Sequence, residues 1–102
     1  MAKGHKDKVA VVTGAANGIG QAFAKRLAED GVHVAVVDIA DGSDTVKMVE
    51  AAGRQAIYVK TDVSSEELVA AMAKQVNAKF SHVDIVVNCA GIFPQKDFAA
   101  MT

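Results

Sequence analysis

The sequence predicts an α/β fold built on a doubly wound parallel sheet, its strands lying in the order 3-2-1-4. Three observations predict it. Short β-branched runs alternate with helical periodicity down the chain as βαβαβαβ. Three of the four runs are close to continuously apolar, as strands covered on both faces require. Each pair of runs is separated by a helix-length segment, which parallel neighbours need for a crossover.

The first strand is read at Val9–Thr13 (VAVVT), the second at Val32–Val37 (VHVAVV), the third at Ala56–Lys60 (AIYVK) and the fourth at Val83–Val87 (VDIVV). Ile19, Phe23 and Leu27 recur every four residues and set the expected inner face of the first helix, with Gly31 as its stop. A shorter helix runs from about Asp44 to Ala52 with Val46 and Val49 inward, closed by Gly53. The third helix carries the stripe Leu68, Met72, Val76 and Phe80, and Ser64 and Glu67 have capping-box spacing at its start. Loops are short, and no repeat, linker or low-complexity segment divides the chain, so residues 1–102 read as one domain.

Composition narrows the function classes. Apolar residues make up 51% and charged residues 23%, which is a globular balance and not a disordered one. The net charge of -1 gives no electrostatic reason to expect nucleic acid or an anionic membrane as partner, and no apolar run is long enough to cross a bilayer. The single cysteine, Cys89, excludes an internal disulfide framework and fits a reducing compartment, and no signal segment is read at the N-terminus, so the expected location is cytoplasmic. Cys89 has no paired histidine motif and reads as a small buried residue. His5, His33 and His82 are scattered without ligand spacing, so no metal site is expected.

The informative stretch is VVTGAANGIG at residues 11–20, where a strand gives way to a helix through Gly14, Gly18 and Gly20. Strand, glycine turn and helix together aim the helix's first N–H groups at an anion, with the helix dipole adding to the attraction. Glycine serves where φ is positive, where a ligand approaches the backbone, and where helix and strand pack too closely for a Cβ. The spacing is G-x-x-x-G-x-G, not G-x-G-x-x-G, and it lacks the Lys-Ser/Thr ending of a phosphate-binding P-loop. Asp38 stands at the end of the second strand, eighteen residues after Gly20 (38 − 20), where dinucleotide logic places an acid for the ribose hydroxyls. A carboxylate there would repel a 2′-phosphate, and neither Asn17 nor Ile39 supplies a compensating positive charge, so NAD is expected over NADP.

Thr13-Gly14-Ala15-Ala16-Asn17-Gly18-Ile19-Gly20 resembles the T-G-x-x-x-G-x-G turn of the short-chain dehydrogenase/reductase family. Asp62-Val63 after the third strand is similar to the family's adenine-contacting acidic pair, and Asn88-Cys89-Ala90-Gly91 after the fourth is similar to its N-N-A-G element, with Cys89 in place of the second asparagine. The resemblance covers residues 8–94 and implies a Rossmann-like fold with one cofactor path. In it Gly14 and the backbone from Asn17 through Ile19 to Gly20 hold the pyrophosphate, and Asp38 beside Ile39 holds the adenosine ribose. Asp62 and Val63 read adenine, while Asn88, Ala90 and Gly91 line the way to the nicotinamide.

The implied activity is hydride transfer between the nicotinamide cofactor and an alcohol or ketone, in a full-length enzyme of the kind that forms homo-oligomers. The family's catalytic tyrosine, lysine and serine have no counterpart here. Tyr58 lies inside the third strand and has no lysine four residues on, so it reads as a packing aromatic. Ile92-Phe93-Pro94 would begin a substrate-side loop, and Phe98–Thr102 resembles the run-in to a further helix. The chain is therefore expected to be the cofactor-binding half of a longer reductase, inactive alone, with a bare apolar edge along the fourth strand. The alternative is a free-standing nucleotide-binding or interaction module that pairs through that edge.

Overall fold

The computed structural model describes residues 7–62 and 64–89. The elements follow as β1 (Val9–Thr13), α1 (Gly18–Glu29), β2 (His33–Asp38), α2 (Ser43–Ala51), β3 (Ala56–Lys60), α3 (Glu66–Phe80) and β4 (Ile85–Asn88). All pairings are parallel, and the strands lie in the order β3-β2-β1-β4, as the alternation of elements predicts. Among the described residues β4 pairs with β1 alone. Val63, Ala90, Gly91, the Ile92-Phe93-Pro94 loop and the Phe98–Thr102 run-in lie outside the described residues, as does His5.

The period-two alternation of the strands feeds two cores. Val11, Ala35, Val37 and Val59 face α3, which answers with Val69, Met72, Ala73 and Val76. On the opposite face Ala10, Val12, Val34 and Val36 meet Ala24 and Ala28 of α1 and Val49 of α2. β1 and β2 are therefore covered on both sides, and their valines are fully buried. Each such valine contributes about 1.5–3 kcal/mol relative to leaving it in water.

The helix faces correct the sequence reading in two places. Ile19 is 72% exposed and Phe23 47%, and the buried stripe of α1 is Gly20, Ala24 and Ala28, one residue further on, with Leu27 packed at its margin. The physical reason is distance: a strip of small residues lets α1 lie close on valine-rich strands, where a strip of large ones would hold it off. In α3 Met72 and Val76 are buried as expected, but Leu68 is 46% exposed and Val69 and Ala73 complete the inner face. Those four positions, 69, 72, 73 and 76, follow the i, i+3, i+4, i+7 pattern of a broad apolar face.

The start of α3 is also shifted by one residue. Ser65, not Ser64, is the N-cap and accepts from the Leu68 N–H at 3.3 Å. Ser64 is already committed, since its N–H and its hydroxyl both donate to Asp62 Oδ1, at 3.0 and 2.6 Å. The stops of α1 and α2 are as expected, with Gly31 and Gly53 at φ of 97° and 86° just past each helix.

Candidate functional site

The sequence-predicted residues that are described gather at the carboxyl ends of the strands. Gly14 and Asn17 lie in the turn from β1 into α1 and Gly18, Ile19 and Gly20 open α1, Asp38 ends β2 with Ile39 just after it, Asp62 follows β3, and Asn88 ends β4. In an open α/β sheet this is the edge where ligands bind. The order β3-β2-β1-β4 lays these groups out in a row.

The turn itself shows why two kinds of glycine are needed. Gly18 has φ of 60°, and a Cβ on it would meet nothing within 4 Å, so its α-carbon faces open space where a ligand could come against the backbone. Gly20 is the reverse case: a Cβ there would fall inside contact distance of the Gly14 carbonyl, 2.6 Å from its carbon. Helix and turn touch at that point.

The hydrogen bonds of the turn divide its polar groups. The Ala15 N–H donates to Val37 O at 3.3 Å, and the Ala16 N–H donates to Asp38 Oδ2 at 2.9 Å. The Ala15 carbonyl accepts from Thr45 Oγ1 and the Ala16 carbonyl from Gln21 Nε2, at 2.6 and 3.1 Å. Helix geometry leaves the next N–H groups, at the start of α1, without an intrahelical acceptor. Asn17 makes no side-chain cap to them, and α1 has no acidic residue in its first turn, whereas α2 has Asp44 there and α3 has Glu66 and Glu67. The first turn of α1 thus carries no acidic side chain of its own at the positive end of the dipole, which suits a phosphate group.

Asp38 sits beside this turn and holds its shape. Besides Ala16, it accepts from the Ala40 N–H through Oδ1 at 3.0 Å, so the carboxylate bridges the glycine turn and the β2–α2 connection. Each oxygen keeps a further lone pair, enough to accept hydroxyl donors. Asp62 is not drawn to Asp38. Its carboxylate pKa is lowered, first by the Ser64 hydroxyl and then by the Ser64 N–H, so it stays ionised.

At the β4 end, the buried Thr13 hydroxyl donates to Asn88 Oδ1 at 3.0 Å and accepts from the Cys89 N–H at 3.0 Å. This fixes Asn88 against β1. Cys89 itself is exposed, contrary to the buried role expected for it, because it is the first residue after β4 and leaves the sheet there. Tyr58 is engaged at the β2–α2 connection: its hydroxyl donates to Ala40 O at 2.8 Å, and burial raises its pKa, with Asp41 and Asp38 adding to the effect. Sequence reading missed the bracing roles of Thr13, Gln21 and Thr45. Thr13 stood in the quoted motif, but its partner lies 75 residues away, and Thr45 carries no local signal beyond its place in the first turn of α2.

Known proteins are similar to this chain in sequence and in fold. Residues 8–102 match the family model described as short chain dehydrogenase. The chain is 44% identical over 97 residues to cis-4-hydroxycyclohexanecarboxylate dehydrogenase of Sinomonas cyclohexanicum, across 94% of this chain and 39% of that protein. Carveol dehydrogenase from Mycobacterium avium, solved in complex with NAD, superimposes with a TM-score of 0.80 at 26% identity, over 85% of this chain and 36% of that one. A short chain dehydrogenase from Mycobacterium paratuberculosis, bound to NAD, does so with a TM-score of 0.80 at 31% identity, over 85% of this chain and 38% of that one. The chain spans less than two-fifths of the length of each of these proteins.

Proposed function

Given that the chain belongs to the short-chain dehydrogenase family, we propose that residues 1–102 form the NAD-binding portion of an oxidoreductase acting between an alcohol and a ketone. One observation carries the reading. The amides at the start of α1, which have no intrahelical acceptor and no side-chain cap from Asn17, and the Asp38 carboxylate stand at the same strand ends, Asp38 being tied through the Ala16 N–H to the turn that leads into α1. One supplies donors for a pyrophosphate and the other supplies acceptors for ribose hydroxyls.

In this reading Gly14, Asn17, Gly18, Ile19 and Gly20 cradle the pyrophosphate, with Gly18 leaving room for its approach. Asp38 receives the adenosine ribose beside Ile39, and Asp62 with Val63 receives adenine. Asn88, oriented by Thr13, begins the path continued by Ala90 and Gly91 toward the nicotinamide. Bound nicotinamide supplies the hydride acceptor or donor. The protein's part at this end is to bind and orient, and Tyr58 is engaged at the β2–α2 connection, so no catalytic group is assigned and turnover is not expected from this chain alone.

NAD is preferred over NADP because a 2′-phosphate would be brought against the Asp38 carboxylate. NAD-bound structural relatives support a nicotinamide cofactor. The same reading gives the full-length enzyme a small alcohol or ketone substrate, a homo-oligomeric assembly and a cytoplasmic location, in keeping with the single cysteine.

Calorimetric titration of the folded chain with NAD and NADP tests the proposal. Saturable NAD binding, at least tenfold weaker for NADP and lost in Asp38→Ala, is expected. A folded chain that binds neither, or that binds NADP as tightly as NAD, refutes the cofactor assignment.

A further inference from the structure

Gln21 and Thr45 hold the two carbonyls of the glycine turn that precede α1. An anion at the start of α1 is attracted by N–H groups and repelled by carbonyl oxygens. The turn offers both kinds of group within a few residues, so its usefulness depends on the carbonyls being held elsewhere. That work falls to a closed set of side-chain bonds. Thr45 Oγ1 donates its one hydrogen to Ala15 O at 2.6 Å, and it accepts from Gln21 Nε2 at 3.1 Å. The second hydrogen of Gln21 Nε2 goes to Ala16 O, also at 3.1 Å. Three donor hydrogens meet three acceptors, and both neighbours of the Gln21 nitrogen are acceptors, which fixes the amide's orientation.

The set also joins three elements. Gln21 belongs to the first turn of α1, Thr45 to the first turn of α2, and the two carbonyls to the loop after β1. Thr45 is fully buried and Gln21 half-buried, so the bonds are shielded from competing water. On the other side of the same peptides, Val37 O and Asp38 take the Ala15 and Ala16 N–H groups. Both peptide units are therefore fully engaged inside the protein, and the amides left for a ligand begin after Ala16.

We propose that Gln21 and Thr45 are positioning residues for dinucleotide binding, acting by turning the Ala15 and Ala16 carbonyls away from the pyrophosphate. This rests on the nucleotide-binding reading above. A pure stability role would weaken every ligand in proportion to the unfolded fraction. A positioning role weakens only ligands that carry the pyrophosphate.

The test compares NAD with adenosine, both measured by NMR shift titration on the full chain. Thr45→Val keeps the shape and removes the hydroxyl, Thr45→Ser restores it, and Gln21→Ala removes the second donor. Thr45→Val is expected to weaken NAD by roughly five- to tenfold while leaving adenosine unchanged, with Thr45→Ser close to wild type. If Thr45→Val does not fold, Gln21→Ala at its half-buried position carries the same comparison. Equal NAD affinity in wild type and variant overturns the proposal, and so does a parallel loss of NAD and adenosine. A folded wild-type chain that binds neither ligand overturns the nucleotide reading itself, and this proposal with it.

Discussion

Gly20 sets the spacing between the turn and α1, and replacing it should push them apart. A Cβ there would lie 2.6 Å from the Gly14 carbonyl carbon and 3.0 Å from Ala15 Cα, where ordinary contact begins near 3.4 Å. Gly20→Ala therefore demands a displacement of more than about 0.8 Å (3.4 − 2.6) between two stretches of backbone, because the Gly14 carbonyl oxygen lies nearer still than its carbon. Neither partner is a side-chain tip that can swing aside. Overpacking of this kind costs about 1–3 kcal/mol, and the helical preference of alanine over glycine offsets only about 0.5–1 kcal/mol of it. With backbone on both sides of so close a contact the cost lies at the upper end of that range, so a net loss of about 2 kcal/mol follows (3 − 1), or a fall in Tm of about 8–16 °C for a domain of this size. Thermal and urea melts followed by circular dichroism measure it. Gly18 is the internal control: it needs positive φ but has open space around it, so Gly18→Asn, which tolerates that conformation, should stay within about 1 kcal/mol of wild type. If Gly20→Ala melts with the wild type, or if asparagine is tolerated equally at both positions, the close contact of helix and turn is wrong.

Two further predictions concern the core and the loop after β3. Met72 is the largest fully buried side chain among the described residues and sits between α3 and the sheet, so Met72→Ala should cost about 2–5 kcal/mol in urea unfolding, and a loss under 1 kcal/mol would show that α3 is not packed there. Asp62 has its folded pKa lowered from 3.8, chiefly by the Ser64 hydroxyl, so its contribution to stability is present above the unfolded value and lost as pH falls through the lowered one. Ser64→Ala removes the larger cause and leaves the N–H bond, so carboxyl NMR should show the Asp62 pKa rising part of the way back to 3.8; an unchanged titration would mean that the serine does not hold the carboxylate.

Much of this protein is written in short-range pattern. The β-branched runs mark all four strands, and helix-length spacers between them force parallel pairing. The turn from Gly14 to Gly20 is legible because a strand ends and a helix begins around three glycines, and Asp38 because it ends the next strand. Helix stops at Gly31 and Gly53 are equally local, since positive φ is a property of one residue. Which side of a helix turns inward is another matter. The sequence shows both a large stripe, Ile19-Phe23-Leu27, and a small one, Gly20-Ala24-Ala28, and hydrophobicity alone favours the large. The valines waiting on β1 and β2 decide for the small one, because only it allows the close approach that Gly20 and Gly14 require. Ser64 lost the cap of α3 to Ser65 through a competing bond to Asp62, a contest that spacing cannot score. The braces of the candidate site go furthest beyond the sequence: Thr13 meets Asn88 across 75 positions and Thr45 meets the Ala15 carbonyl across 30. Local conformation is set by neighbours along the chain, but a hydrogen bond between distant side chains exists only once the sheet has brought their strands and helices together.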